Sequence, residues 1–385
     1  MRILHLIARL NDGGPARVVQ QLAHATREAG HEVLVGHGAV GDGEPDRAPR
    51  LAADGVPLAP IAHLGRRVTP ADDLRAAFAV DRLLRSFAPD LVHTHTAKAG
   101  ALGRPRSALR RIPCLHTYHG HVLSGYFGPT AALLVRGCER LLARSGDAHA
   151  LSPRLVAELH RGYGVGRPDR WHALPLPVEP VRPCTAAWHA RLPQGHARIG
   201  FLGRLAPVKD LGLWLAVLAR VARQQRVCGV VCGQGPEAHL LDAPAPETTP
   251  VVHPGHVPAA EALGGIDLLL MTSRNEGLPL AAIEAAGAGI PVVAPGVGGL
   301  IDLGQAGLVR VARREPDALA AAVLALLRDP GLRSRRCAQA RTAAAAFAPA
   351  RVLPRYLALY TRLAKSGADR RLSGRSHRHS EPTSR

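Results

Sequence analysis

Two glutamates with seven residues between them, Glu276 and Glu284, lie in SRNEGLPLAAIEAAGAGIPVVAP, which starts at Ser273. Pro279 suits the first turn of a helix, and the glycines at 287 and 289 suit its end. Glu276 then stands just ahead of the helix, at its N-terminal mouth, while Glu284 projects about a turn and a half inside. Two carboxylates so placed can hold different parts of one extended ligand. The N–H groups of residues 280 and 281 lack intrahelical acceptors, and the helix dipole favours an anion at the same mouth. Buried in an Ala-rich helix, Glu284 would need hydroxyl or N–H partners. A surface helix with incidental acids is the competing reading, and spacing alone does not remove it.

The opposite charge comes from FLGRLAPVKDLGLWLAVLARV, beginning at Phe201. Arg204 leaves a predicted strand, and Lys209 opens a predicted helix with Leu211, Leu215, Leu218 and Ala222 on one face. Two cations five residues apart across a short loop can converge on one diphosphate, Arg through its fork and Lys as a point charge. Lys209 stands out because lysine occurs elsewhere only at 98 and 365. A solvated loop is the plain alternative. Gly13 and Gly14, in NDGGPARVV, allow close backbone approach to a ligand, and the helix start at Pro15 could face a phosphate. The stretch is not G-x-G-x-x-G, and an ordinary tight turn would read the same. His119, in HTYHGH at 116–121, ends a predicted strand beside Gly120, where it could face a cleft. A surface histidine or an accidental metal-binding cluster would give the same letters.

These residues need elements to position them. Apolar runs at 2–8, 32–37, 91–96, 114–118 and 147–151 read as strands, with helices at 15–29, 72–87, 130–144 and 153–162. The turn-rich LPLPVEPVRP at 174–183 interrupts this rhythm. It resumes with strands at 197–203, 226–233, 267–272 and 290–295 and helices at 209–224, 279–288, 316–328 and 331–347. Two such βα series predict an α/β protein of two doubly wound domains with a cleft between them, the first over 1–177 and the second over 178–348. A helix over 349–365 is expected to pack back on the first domain. The polar stretch 366–385 is expected to be a disordered basic tail.

Composition narrows the classes. A chain of 385 residues with 46% hydrophobic residues can bury two cores, so a disordered protein is excluded. No apolar stretch approaches the ~20 residues that span a bilayer. The six cysteines, with no C-x-x-C pair, suggest reduced core thiols in a cytoplasmic protein rather than a zinc site. The net charge of +19 invites a nucleic-acid reading, yet no recognised nucleic-acid-binding pattern is present. Attraction to anionic lipid or to an acidic substrate is a second reading, and simply solvated faces are the plain one.

The motifs, in their order, resemble family 4 of the retaining GT-B glycosyltransferases. The likeness rests on E-x7-E within EGLPLAAIEA, and on IARLNDGGPARVV, HTYHGHVLSGYFG, GRLAPVKD, VCGQGPE and HPGHV, and it spans residues 1–363. It implies that Gly14 offers its N–H to the donor diphosphate and that His119 sits by the donor sugar and the reacting centre. Arg204 and Lys209 would neutralise the diphosphate. Val257 would meet the base through its backbone. Glu276 would hold sugar hydroxyls, with the backbone of Gly277, Leu278, Pro279 and Leu280 around sugar and phosphate, and Glu284 would take the ribose hydroxyls. Gly13, Gly203, Gly233 and Gly235 complete the donor site. Asp210 replaces a glycine common after the lysine, and LPLPVE departs from the usual linker.

The reaction implied is transfer of a sugar from a nucleotide-diphosphate donor, UDP favoured, to a glycan or lipid-linked hydroxyl, with retention and without a cofactor. No D-x-D pair is available to hold a metal, so the two cations and the helix N-terminus would stabilise the leaving phosphate. The partners expected are the donor, the acceptor and an anionic membrane surface at the inner face, but no nucleic acid. A nucleotide-sugar 2-epimerase and a non-catalytic sugar-nucleotide-binding protein remain as alternatives. The membrane expectation rests on Arg136, Arg140 and Arg144, which recur every four residues along one predicted helix beside Leu133 and Leu134.

Overall fold

A computed structural model describes residues 1–41, 44–65, 68–120, 123, 128–242 and 249–376. The chain divides into two compact units: Met1–Pro177 together with Pro349–Arg385, and Val178–Ala348.

The first unit holds seven strands: β1 (Arg2–Ile7), β2 (Glu32–His37), β3 (Leu58–Pro60), β4 (Leu91–His95), β5 (Cys114–Tyr118), β6 (Asp147–Ala150) and β7 (Trp171–Ala173). All pairings are parallel, in the order β3-β2-β1-β4-β5-β6-β7. Parallel neighbours need long crossovers, which helices such as Gly14–Glu28 and Pro70–Phe87 provide. One apolar cluster sets Leu4, Leu6 and Val92 against Ala76, Val80 and Leu84. A second sets Ile7, Val33 and Val35 against Val19, Ala23 and Leu51. With both faces covered, every residue of β4 is buried, including His93, Thr94 and His95.

Helix Ala97–Leu109 is absent from the sequence reading because Gly100, Gly103 and Pro105 look like breakers. The two glycines instead let the helix lie close on the sheet. A Cβ on Gly100 would fall 2.4 Å from the His116 ring, and one on Gly103 2.6 Å from Thr94. The last helix, Pro349–Ser376, belongs to this unit and buries Val352, Tyr356, Tyr360 and Leu363. The expected disorder from residue 366 is therefore corrected: the docked helix carries on to Ser376, since propagation from a formed helix is cheap. Residues 377–385 lie outside the described residues.

The second unit repeats the plan with β8 (Ala197–Leu202), β9 (Val227–Cys232), β10 (Val251–Gly255), β11 (Leu268–Leu270), β12 (Val292–Pro295) and β13 (Arg310–Ala312). Its order is β10-β9-β8-β11-β12-β13, again parallel. Ile199, Phe201, Val231, Leu268 and Val293 meet Trp214, Val217, Leu319 and Val323 in its core. The strands unannounced by sequence, β3, β7, β10 and β13, are the four sheet edges, where little apolar surface is needed. Among the cysteines, Cys138 and Cys184 are exposed, so only the other four are core thiols.

Chain order reverses between β1 and β4 in one sheet and between β8 and β11 in the other. Crossovers leave on opposite sides there, opening a crevice beyond the carboxyl ends of the strands.

Candidate active site

The loops leaving β8 and β11 carry most of the residues singled out by sequence. Lys209 Nζ lies 2.5 Å from Glu276 Oε1, and Ser273 Oγ donates to the same oxygen at 2.6 Å. The side chains are 24% and 9% exposed, so the ion pair is partly withdrawn from water while its lysine stays reachable. Ser273, buried and three residues before the glutamate, is a site residue the sequence reading missed; its hydroxyl at that spacing was the only signal. Thr272 is another. Its Oγ1 donates to the carbonyls of Lys209 and Asp210 at 3.0 and 2.9 Å, tying the lysine loop to the end of β11. Arg274 N completes the seam by donating to Val208 O at 2.8 Å.

Lys209 does not open a helix. Asp210 is the N-cap of Leu211–Ala222, with φ 55° and Oδ1 accepting from Leu213 N at 3.1 Å. That left-handed backbone suits glycine; aspartate tolerates it here by capping the helix and binding Arg274 and Arg314. The buried face is Leu211, Trp214, Val217, Leu218 and Val221, one step round from the face expected.

Close backbone packing explains several glycines. A Cβ on Gly233 would fall 1.9 Å from Gly203 O, and one on Gly235 2.2 Å from Leu205 O. The loop after β9 is thereby pressed against the loop after β8. Gly298 and Gly299, which the sequence reading left aside, do the same for the glutamate loop. Their Cβ atoms would fall 2.0 Å from Glu276 O and 1.7 Å from Gly277 O, and Gly299 N donates to Glu276 O at 3.1 Å.

Helix Leu280–Gly287 begins one residue later than expected, with Pro279 as an N-cap that has no side-chain bond. The first-turn amides therefore depend on something other than a capping side chain. Leu278 and Pro279 are buried and Gly277 partly so, leaving backbone as what this stretch can offer. Glu284 is buried, in a helix whose other buried residues are Ala282, Ile283, Ala285 and Ala286. Arg204 is exposed just after β8, and Val257 is partly exposed just after β10. The structure thus joins Lys209 to Glu276 directly and places Arg204 just after β8, Val257 just after β10 and Glu284 in the helix that follows β11.

In the first unit, Gly13 caps helix Gly14–Glu28 at the carboxyl end of β1 with φ −103°, so its value is a small profile rather than a left-handed backbone. His119 follows β5 and meets a histidine network the sequence reading did not foresee. Its Nε2 lies 3.1 Å from His95 Nδ1, and His95 Nε2 lies 3.2 Å from His5 Nδ1. Burial pushes His5 and His119 down to about 3 and His149 down to about 4. His5, His93 and His95 offer ring nitrogens within 4.8 Å of one another, a group without a carboxylate. His121, with residues 122 and 124–127 of the same motif, lies outside the described residues.

Helix Pro129–Leu142 carries Arg136 and Arg140 of the expected cationic face, and Arg144 falls in the turn that follows it. Arg136 Nε donates to Leu123 O at 2.9 Å and its guanidinium sits 5.0 Å from the Tyr163 ring centre, while Arg140 Nε donates to Tyr163 O at 2.6 Å. These two arginines serve the unit's own packing. Leu133, Leu134 and Leu141 are outward, 65%, 68% and 64% exposed, and Arg140 and Arg144 are exposed beside them. Among the described residues, no helix is long and apolar enough to cross a membrane.

Two doubly wound parallel sheets in one chain, each with polar groups gathered where strand order reverses, define a protein of the GT-B kind. The family models agree: the Glycosyl transferase 4-like domain matches residues 13–177, and Glycosyl transferases group 1 matches residues 196–329. A GDP-mannose-dependent alpha-mannosyltransferase of Mycobacterium tuberculosis is 30% identical over 294 residues, covering 74% of this chain and 76% of that protein. A D-inositol 3-phosphate glycosyltransferase of Xylanimonas cellulosilytica is 30% identical over 372 residues, covering 87% and 88%. In fold, the chain is similar to Anabaena HepE, solved in complex with UDP and glucose, with a TM-score of 0.77 at 20% identity over 94% of this chain and 99% of that one. The chain belongs to the group 1, GT4-type glycosyltransferases.

Proposed function

We propose that the protein moves a sugar from a nucleotide-diphosphate sugar to a hydroxyl of a glycan or lipid-linked acceptor, with retention of anomeric configuration. The observation that carries this reading is the Lys209–Glu276–Ser273 cluster at the β8/β11 reversal, ahead of an uncapped helix N-terminus. An ammonium has three donors, so Lys209 can keep Glu276 and still reach a phosphate oxygen. Both bonds to Glu276 converge on Oε1, which leaves Oε2 for a sugar hydroxyl. Arg204 and the amides of Leu280 and Ala281 would add to the diphosphate clamp, Glu284 would take the ribose hydroxyls, and Val257 would meet the base. As the anomeric carbon becomes oxocarbenium-like, these fixed charges stabilise the departing diphosphate without reorganising. The acceptor then enters on the same face, and the leaving phosphate takes its proton. Glu276 acts as a positioning group for the sugar rather than a nucleophile.

A UDP-sugar is favoured by the likeness to a fold crystallised with UDP and glucose, while one relative is named for GDP-mannose. Thermal-shift titration with UDP-, GDP- and ADP-sugars tests the donor directly. One nucleotide class should raise the melting temperature of the wild type, with the shift lost in Glu284→Ala; no shift with any of them would sink the reading. The 2-epimerase and non-catalytic alternatives draw no support from relatives that are named as transferases.

The clamp needs no metal. Transfer is therefore expected to continue in EDTA at an undiminished rate, and loss restored by magnesium or manganese would contradict it.

Membrane contact is proposed through the outward leucines rather than the arginines. Replacing Leu133, Leu134 and Leu141 with Gln should abolish sedimentation with anionic liposomes, whereas replacing Arg136, Arg140 and Arg144 should leave much of it. Equal recovery of wild type and the leucine variant would refute the contact.

A further inference from the structure

Between Gly233 and Gly235, both pressed against the loop after β8, stands one residue with a side chain, Gln234. Its backbone is held from both sides. Leu205 N, in the loop after β8, donates to Gln234 O at 2.9 Å. Toward β10, Gly233 N donates to Gly255 O at 2.8 Å, and His253 Nε2 lies 2.8 Å from Gly233 O. Gln234 is exposed, and its side chain leans the same way: Nε2 lies 3.6 Å from where a Cβ on Gly255 would stand. Gly255 has φ +83°, a left-handed backbone that glycine adopts freely, so no side chain there competes with the amide.

The sheet order places this amide relative to the charged cluster. The Lys209–Glu276 pair marks the seam of β8 and β11, while Gln234 and Gly255 mark that of β9 and β10. Neighbouring strands are about 4.8 Å apart, so the two seams are separated by about 10 Å. That leaves room for a ribose between a diphosphate at the first seam and a base at the second. Val257 follows Gly255 by two residues, so a base that meets its backbone lies beside Gln234. A carboxamide presents an N–H donor and a carbonyl acceptor side by side. Uracil presents a ring carbonyl next to its N3–H, and the two edges match.

We propose that Gln234 determines donor specificity by reading the base: its N–H donates to a uracil ring carbonyl, and its own carbonyl accepts the N3–H. The position of the donor rests on the proposed sugar transfer. With the backbone of Gln234 fixed on both sides, only the side-chain torsions are ordered on binding, which keeps the entropic cost low. The pairing depends on the chemistry of the side chain rather than on its bulk. A carboxylate only accepts, so Gln234→Glu would set two acceptors against a uracil carbonyl. Guanine, with N1–H next to its exocyclic amine, suits that carboxylate instead.

The test is isothermal titration of the wild type, Gln234→Ala, Gln234→Glu and Glu284→Ala with UDP and with GDP. The wild type should bind UDP more tightly than GDP. Gln234→Ala should weaken UDP about tenfold, the scale of one bidentate pair with a base, at unchanged melting temperature because the residue is exposed. Gln234→Glu should lower the ratio of UDP to GDP affinity at least tenfold. Binding of UDP lost in Glu284→Ala but undiminished in Gln234→Ala would overturn the base reading alone. Equal loss of both nucleotides in Gln234→Glu would overturn it too, because a new charge that merely repels the diphosphate does not discriminate bases. Tighter binding of GDP than of UDP by the wild type would contradict the pairing with uracil. Failure of the wild type to bind either nucleotide would instead remove the donor reading, and this proposal with it.

Discussion

Replacing Lys209 with alanine is expected to lower sugar transfer on the order of a hundredfold while the protein stays folded, since a lost donor to a developing oxyanion costs about 3 kcal/mol. Two effects combine. A cation of the proposed clamp disappears, and Glu276, 9% exposed, loses the partner 2.5 Å from its Oε1. Ser273 still donates to that oxygen at 2.6 Å, so the loop keeps one anchor and the fold is spared. Lys209→Arg should recover little, because a planar fork does not fit where a compact ammonium meets both carboxylate and phosphate. Steady-state kinetics with circular dichroism check this: near-normal transfer in Lys209→Ala would remove the lysine from the phosphate clamp.

The second large effect is acid lability confined to the first unit. Burial depresses His5, His93, His95, His116, His119 and His149, in each case as the leading cause. The ordinary value is 6.5, and the folded values are about 3 for His5 and His119 and about 4 for His149. Between those limits the unfolded chain binds protons that the folded unit refuses. Stability is therefore full above pH 6.5 and is lost as pH falls. Each proton refused in this way costs on the order of 1 kcal/mol one pH unit below the unfolded value, against the ~5–15 kcal/mol by which domains are stable. Hydrogen exchange at falling pH should show β1–β7 losing protection while β8–β13 keep theirs. Equal protection of β1–β7 at pH 5 and at neutrality would contradict this account of the buried imidazoles.

The central strands, most of the crossover helices and the linker were legible because parallel strands buried on both faces write continuous apolar runs. The four edge strands were not, since three-residue or half-exposed strands carry no period. Helix Ala97–Leu109 was hidden by Gly100 and Gly103, which look like breakers until the His116 ring and Thr94 are seen beneath them. At the site, Lys209 and Glu276 could be read from charge and spacing. Ser273, Thr272, Gly298 and Gly299 could not, because what they do is hold one loop against another. The histidine chain was also invisible. It joins residues 5, 95 and 119, and only the sheet order, with β4 between β1 and β5, brings them together.

The central claim is sugar transfer with retention from a nucleotide-diphosphate donor. It is tested most directly by incubating the purified protein with donors labelled at the anomeric carbon, together with glycan and lipid-linked acceptors. The magnetic resonance spectrum of the product then reads the new linkage. The account predicts a glycoside with the anomeric configuration of the donor, formed with one equivalent of nucleoside diphosphate and undiminished by EDTA. An inverted linkage, a free epimerised sugar, or tight donor binding without any product would contradict it.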